Sequence, residues 1–233
     1  MKNYISILGS TGSIGLTVFK IIKKKRSFFV VNILAANKNY QLICKQIEKF
    51  KPKIFLINDY QTFLKVKKKY RNKNIKIINK FESKNSRLPK SDITIAAIPG
   101  IAGLQPTIDL IKNSKKILIA NKESIICGWN LIKKTAAEKK TKIIPVDSEH
   151  FSIMKLLENS KMQEVKKIYL TASGGPFLNY KFANLKKVKP SQAIKHPKWK
   201  MGKKISVDSS NLMNKILEVI EANKLFSINQ KKI

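Results

Sequence analysis

Two carboxylates flank one serine in PVDSEHFSIMK, residues 145–155: Asp147, Ser148 and Glu149. The chain carries 14 acidic residues against 48 basic ones, so negative charge gathered within three positions calls for a cause. One cause is local. Asp and Glu at a helix start satisfy free backbone N–H groups and the positive end of the helix dipole. The other is chemical. The pair follows the short apolar run TKII, and ligands on parallel α/β sheets bind beyond the carboxyl ends of strands. A second constellation lies in MNKILE, where Asn214 and Glu218 are four apart and Lys215 and Glu218 three apart. These three share one helix face. Taken alone, that face is equally a solvated surface.

The run GSTGSIG, residues 9–15, lies between strand-like YISIL and the segment IGLTVFKIIKK. In the latter, Ile14, Val18, Ile21 and Ile22 recur at helical spacing. Strand, glycine turn and helix form the setting in which a dinucleotide's phosphates are held. Gly9 makes the tight turn, Gly12 lets the pyrophosphate approach the backbone, and Gly15 lets helix pack on strand. The helix N-terminus adds N–H groups and a positive dipole end. The second strand, FFVVNILAA, ends near Ala36. An NAD site places Asp or Glu there for the ribose hydroxyls, whereas Asn37, Lys38 and Asn39 offer no acid and one cation. That favours a 2′-phosphate, hence NADP. A plain polar loop is the alternative.

Positioning these groups requires alternating strands and helices. KIFLI, IKII, DITIAAI and KKILIA read as strands; YQTFLKVKKKY, GLQPTIDLIKN and NKESIICGWNLIKKTAAEKK read as helices. The alternation predicts βαβ units and a parallel sheet. Both NKES and DSEH fall at carboxyl ends of strands. The rhythm changes after residue 150. VKKIYLTA reads as a strand entering SGGPF, then comes a polar loop, then ISV and a helix beginning near DSSNLMNKILEVIEANKLF. Asp208, Ser209 or Ser210 is its expected N-cap, and Leu212, Ile216, Val219 and Ile220 its expected buried face.

Composition narrows the function classes. A chain of 233 residues, 43% hydrophobic, is long enough for a sizeable core. The net charge of +34 raises a nucleic-acid partner. Yet Arg occurs only at positions 26, 71 and 87, and Lys is spread along the whole length. Base-edge readout favours the Arg fork, so no nucleic-acid role is expected, and the lysines fit codon bias. No apolar run reaches membrane-spanning length. The first strand-like run begins at Tyr4, so no signal peptide is expected. Cys44 and Cys127 lie far apart, which suggests a reducing, cytoplasmic setting.

In order, GSTGSIG, NKES, VDSEH, SGGPF, HPKWKMGKKISVDS and MNKILE resemble the 1-deoxy-D-xylulose 5-phosphate reductoisomerase family over essentially the whole chain. The resemblance implies a Rossmann-like NADP-binding domain over 1–146. It implies an α+β catalytic domain over 147–233, incomplete because family members continue with further strands and a C-terminal helical domain. It implies rearrangement of 1-deoxy-D-xylulose 5-phosphate to an aldehyde, then reduction by NADPH to 2-C-methyl-D-erythritol 4-phosphate, in the methylerythritol phosphate route to isoprenoids. A divalent ion, Mg²⁺ or Mn²⁺, holds the substrate's oxygens, with Asp147, Glu149 and Glu218 matching its ligands. Ser148 and Lys122 match substrate positions beside the ion. Ser173, Ser209, Asn214 and Lys215 match groups that grip the substrate's phosphate and hydroxyls. His196, Trp199 and Met201 match a covering loop, and Gly202 a cofactor contact within it. Thr11, Gly12, Ser13 and Ile14 match the pyrophosphate loop. Asn37, Lys38 and Asn39 match the 2′-phosphate segment, although Asn37 stands where Gly is common. Asn121 and Glu123 match positions near the nicotinamide. Full-length members form homodimers. Another NADP-dependent oxidoreductase, or a nucleotide-binding remnant without activity, are the competing readings.

Overall fold

In a computed structural model of the chain, residues 2–81, 88–160, 164–198 and 202–233 are described. The chain divides into two compact units, residues 1–146 and 147–233.

The described residues of the first unit form a seven-stranded sheet in the order β4-β3-β2-β1-β5-β6-β7. Its strands are β1 (Asn3–Leu8), β2 (Phe29–Ala36), β3 (Ile54–Ile57), β4 (Lys76–Ile78), β5 (Ser91–Ala96), β6 (Ser114–Ile119) and β7 (Lys142–Pro145). All six pairings are parallel. Parallel strands are covered on both faces and therefore read as unbroken apolar runs. Every residue of IFLI in β3 and the last six of β2 are buried. The connecting helices are α1 (Ser13–Lys24), α2 (Tyr40–Phe50), α3 (Tyr60–Lys69), α4 (Leu104–Ile111) and α5 (Lys122–Lys139). The strand order reverses between β1 and β5, which makes the space beyond their carboxyl ends the switch point where such sheets bind ligands. On α1 the buried residues are Gly15, Phe19 and Ile22, with Ile14 and Val18 packed against the core. Ile21, expected on that face, is 52% exposed. The face runs through positions 14, 18 and 22, four apart, and residue 21 falls to its side.

The second unit contains α6 (Ser148–Leu156), the single turns α7 (Phe182–Leu185) and α8 (Pro190–Ala193), α9 (Lys203–Ser210) and α10 (Met213–Phe226). Three expectations change here. The segment VKKIYLTA joins no strand ladder among the described residues; Ile168 N–H donates to the Lys232 carbonyl at 2.7 Å. A β-favouring run becomes a strand only with a hydrogen-bonding neighbour. Asp208, Ser209 and Ser210 do not cap α10, because they form the last turn of α9. The chain then turns through Leu212, which has a left-handed φ of 63° and stands at the N-cap of α10. On α10 the buried residues are Glu218, Glu221 and Ala222, whereas Leu212 and Ile216 are exposed. Among the described residues, no helix is long and apolar enough to cross a membrane.

Candidate functional site

In the first unit the glycine turn is built by close approach. Gly9 has φ +82°, and a Cβ there would lie 2.5 Å from the Ala97 carbonyl oxygen on the loop after β5. A Cβ at Gly15 would lie 2.5 Å from the Gly9 oxygen. Gly9 and Ser10 N–H groups both donate to the Ala35 carbonyl, at 2.9 and 2.8 Å. Ser10 Oγ donates to Gln46 Oε1 at 2.7 Å, and Gln46 Nε2 returns a bond to the Ser10 carbonyl at 2.9 Å. This buried pair ties the turn to α2. Gly12 is the N-cap of α1, no side-chain hydrogen bond from the described residues caps this helix, and its first turn holds no acidic residue. Thr11, Ser13 and Ile14 thus surround a helix start suited to an anion.

Asn37, Lys38 and Asn39 follow β2 directly and are exposed. Asn39 caps α2 by accepting from Leu42 N–H at 3.1 Å. Lys38 lines a shallow groove with Tyr40, Thr62, Lys65, Lys68 and Lys69. Four ammonium groups around one groove suit a phosphate monoester. Asn121 is the N-cap of α5 and is almost wholly buried. Its Oδ1 accepts from Ser124 N–H at 2.9 Å, while its amide donates to the carbonyls of Ile98 and Gly100. The structure thus gives it a positioning job, pinning the loop after β5 to the start of α5. Lys122 and Glu123, half-buried, form the first turn of α5 at the carboxyl end of β6.

In the second unit the three expected cation ligands come together. One carboxylate oxygen from each of Asp147, Glu149 and Glu218 lies within 4.8 Å of the others. Asp147 is the N-cap of α6 and accepts from Glu149 N–H at 3.3 Å, so it also does the local job of a helix start. Ser148 Oγ donates to Glu149 Oε2 at 2.7 Å. Glu218 arrives from α10 and is buried. Lys215, one turn earlier, places its ammonium between the two helices. It donates to Glu149 Oε1 at 3.1 Å, to Glu218 and to the Thr171 carbonyl. Asn214 donates to the other oxygen of Glu218. A positive charge thus already sits at the carboxylates, and the all-oxygen donor set fits a hard divalent ion.

Of the remaining expected residues of this unit, Ser173 and His196 meet each other. Lys198 N–H donates to His196 Nδ1 at 3.2 Å. In the neutral ring Nε2 then carries the hydrogen, and it faces Ser173 Oγ at 2.9 Å. Gly175, with φ +67°, lets the SGGPF loop reach α9: a Cβ there would lie 2.5 Å from the Ser209 carbonyl oxygen. Gly202 is the exposed N-cap of α9. Trp199 and Met201 lie outside the described residues.

Sequence reasoning assigned no role to His150 or Glu221. Both are buried, and both belong to a second group, Asp147, His150 and Glu221, whose ligand atoms also lie within 4.8 Å of one another. Burial pushes the His150 imidazole down, but the carboxylates of Asp147 and Glu221 and the Glu218 carbonyl outweigh it and hold it above its ordinary value. The signal was present in the spacing. His150 is three residues after Asp147, and Glu221 three after Glu218, so each shares its partner's helix face.

A doubly wound sheet with a glycine-rich switch point, followed by a unit bearing three convergent carboxylates, places the chain in the class of Rossmann-like α/β proteins. Residues 5–128 match the family described as 1-deoxy-D-xylulose 5-phosphate reductoisomerase, and residues 143–226 match that family's C-terminal domain. The chain belongs to this family. It is 49% identical to the Pelagibacter ubique 1-deoxy-D-xylulose 5-phosphate reductoisomerase over 98% of its own length and 60% of that protein's. The Clostridium novyi counterpart is 46% identical, over 100% of this chain and 61% of that protein. A solved structure of DOX-P reductoisomerase with NADPH, fosmidomycin and magnesium superposes with a TM-score of 0.88 at 31% identity, covering 99% of this chain and 60% of that one. The Zymomonas mobilis enzyme with NADPH gives 0.85 at 32% identity, covering 100% and 60%. The chain therefore spans about 60% of the relatives it matches.

Proposed function

We propose that this chain forms the NADPH-binding and cation-binding parts of an enzyme that converts 1-deoxy-D-xylulose 5-phosphate to 2-C-methyl-D-erythritol 4-phosphate in isoprenoid synthesis. The convergence of Asp147 and Glu149 with Glu218, which stands 71 and 69 positions further along the chain (218 − 147 and 218 − 149), carries the reading. Similarity to structures holding NADPH and magnesium supports it. Asp147, Glu149 and Glu218 would hold Mg²⁺ or Mn²⁺, which when bound supplies a Lewis acid and a template for the substrate's oxygens.

The chain's own residues do the rest. Thr11, Gly12, Ser13 and Ile14 hold the pyrophosphate, and Asn37, Lys38 and Asn39 the 2′-phosphate. Asn121, Glu123 and Gly202 serve the nicotinamide end. Ser173, Ser209, Asn214 and Lys215 orient the substrate's phosphate and hydroxyls, Ser148 and Lys122 its reacting end, and His196 the loop that excludes water. Hydroxyls and amides give direction and lysine gives charge. The complete enzyme is a cytoplasmic homodimer.

The test joins this chain to the remaining portion of the Pelagibacter ubique relative and follows NADPH oxidation with 1-deoxy-D-xylulose 5-phosphate and Mg²⁺. Metal-dependent turnover is expected. Turnover only with other carbonyl substrates would assign a different oxidoreductase. NADPH binding without any turnover would assign an inert remnant.

A further inference from the structure

Among the described residues, two groups of three ligand-type residues share Asp147, and one of them has a stated purpose. The other, Asp147, His150 and Glu221, lies deeper: His150 is 0% and Glu221 1% exposed. Its geometry is that of a brace. His150 Nε2 lies 2.9 Å from the Glu218 backbone carbonyl. A carbonyl only accepts, so this nitrogen is a donor and is committed to α10. The opposite edge of the ring, Nδ1, faces Asp147 Oδ1 at 3.4 Å and Glu221 Oε2 at 3.5 Å. The ring plane lies 15° from that of Phe226, with centroids 6.4 Å apart.

One side chain of α6 therefore touches the N-cap carboxylate of its own helix and three positions of α10. Those two helices carry all three carboxylates of the cation group, and their spacing sets how closely Glu149 and Glu218 approach. We propose that His150 is a positioning residue: seated on Glu221 and bonded to the Glu218 backbone, it fixes the separation at which Asp147, Glu149 and Glu218 can share one cation. The inference rests on the reading that those three carboxylates hold a divalent ion. Groups that orient metal ligands in this way change affinity by about tenfold to a hundredfold when removed.

The test is Mn²⁺ titration of the full chain by electron paramagnetic resonance. NADPH fluorescence and a thermal melt on the same samples serve as controls for folding. His150→Leu is expected to weaken Mn²⁺ binding at least about tenfold with NADPH affinity unchanged. His150→Gln keeps an N–H near the Nε2 position and is expected to recover most of that loss. Leu binding Mn²⁺ as tightly as the native chain, or Gln no better than Leu, would overturn the brace. Should the Leu chain not fold, Glu221→Gln takes its place: it is expected to weaken Mn²⁺, and unchanged binding would overturn the proposal. Glu149→Gln separates the two levels. If it leaves Mn²⁺ binding intact, the cation reading itself fails. If it weakens binding while the His150 variants do not, the cation reading stands and the brace falls.

Discussion

Lys215 Nζ lies 3.1 Å from Glu149 Oε1, joining the first turn of α10 to the first turn of α6. The same ammonium also meets Glu218. Both lysine and Glu149 side chains are about four-fifths buried, at 20% and 22% exposure. A basic chain thus resolves its own concentration of negative charge with an internal cation.

Lys215 and a divalent ion draw on the same two carboxylates. Lys215→Met is therefore expected to tighten Mn²⁺ binding by roughly fivefold, about 1 kcal/mol for a partly exposed pair. Isothermal calorimetry measures it. Weaker binding in the variant would mean that the ammonium organises the carboxylates instead of competing for them.

The groove around Lys38 makes a cofactor preference testable. NADPH is expected to bind more tightly than NADH in a fluorescence titration, because no acid follows β2 to reject a phosphate. Lys38→Glu should weaken NADPH about tenfold or more, since it replaces an attractive charge by a repulsive one. NADH should change little. Equal affinities in the native chain would reduce the Asn37–Asn39 segment to a polar loop.

Asp92 gives the first unit a pH dependence of known sign. The carboxylate accepts from Lys115 at 2.7 Å and from Tyr4 N–H at 2.7 Å. These bonds, Lys115 first, hold the carboxyl below its ordinary value. A group depressed on folding adds stability above its unfolded value, about 3.9, and loses it as pH falls through the folded value. Asp92→Asn should therefore melt below the native chain at pH 7, with the gap closing toward about pH 2. A gap that stays constant across that range would show that the ionic form contributes nothing.

Much of this was legible from residues. The inner strands stand out because a parallel sheet buries both faces, so IFLI in β3 and ILAA in β2 are apolar or small throughout. The glycine turn and the carboxylate pair were legible because each needs particular residue types at fixed spacing. Three things were not. VKKIYLTA has strand composition, but composition does not supply a neighbouring strand. The N-cap of α10 falls on Leu212, a residue with no capping preference, because the preceding DSS continues α9. The buried face of α10 is polar, Glu218 and Glu221 beside Ala222. A rule that buries apolar residues turns that helix the wrong way round. Buried carboxylates need partners, and here these are Lys215, Asn214 and His150, which come from this helix and from α6.

Whether Asp147, Glu149 and Glu218 hold one divalent ion is decided by anomalous diffraction from crystals grown with Mn²⁺. One peak is expected, at about 2.2 Å from a carboxylate oxygen of each of the three, with Lys215 withdrawn from Glu149. A peak ligated instead by His150 and Glu221, or no peak at saturating Mn²⁺, would contradict it.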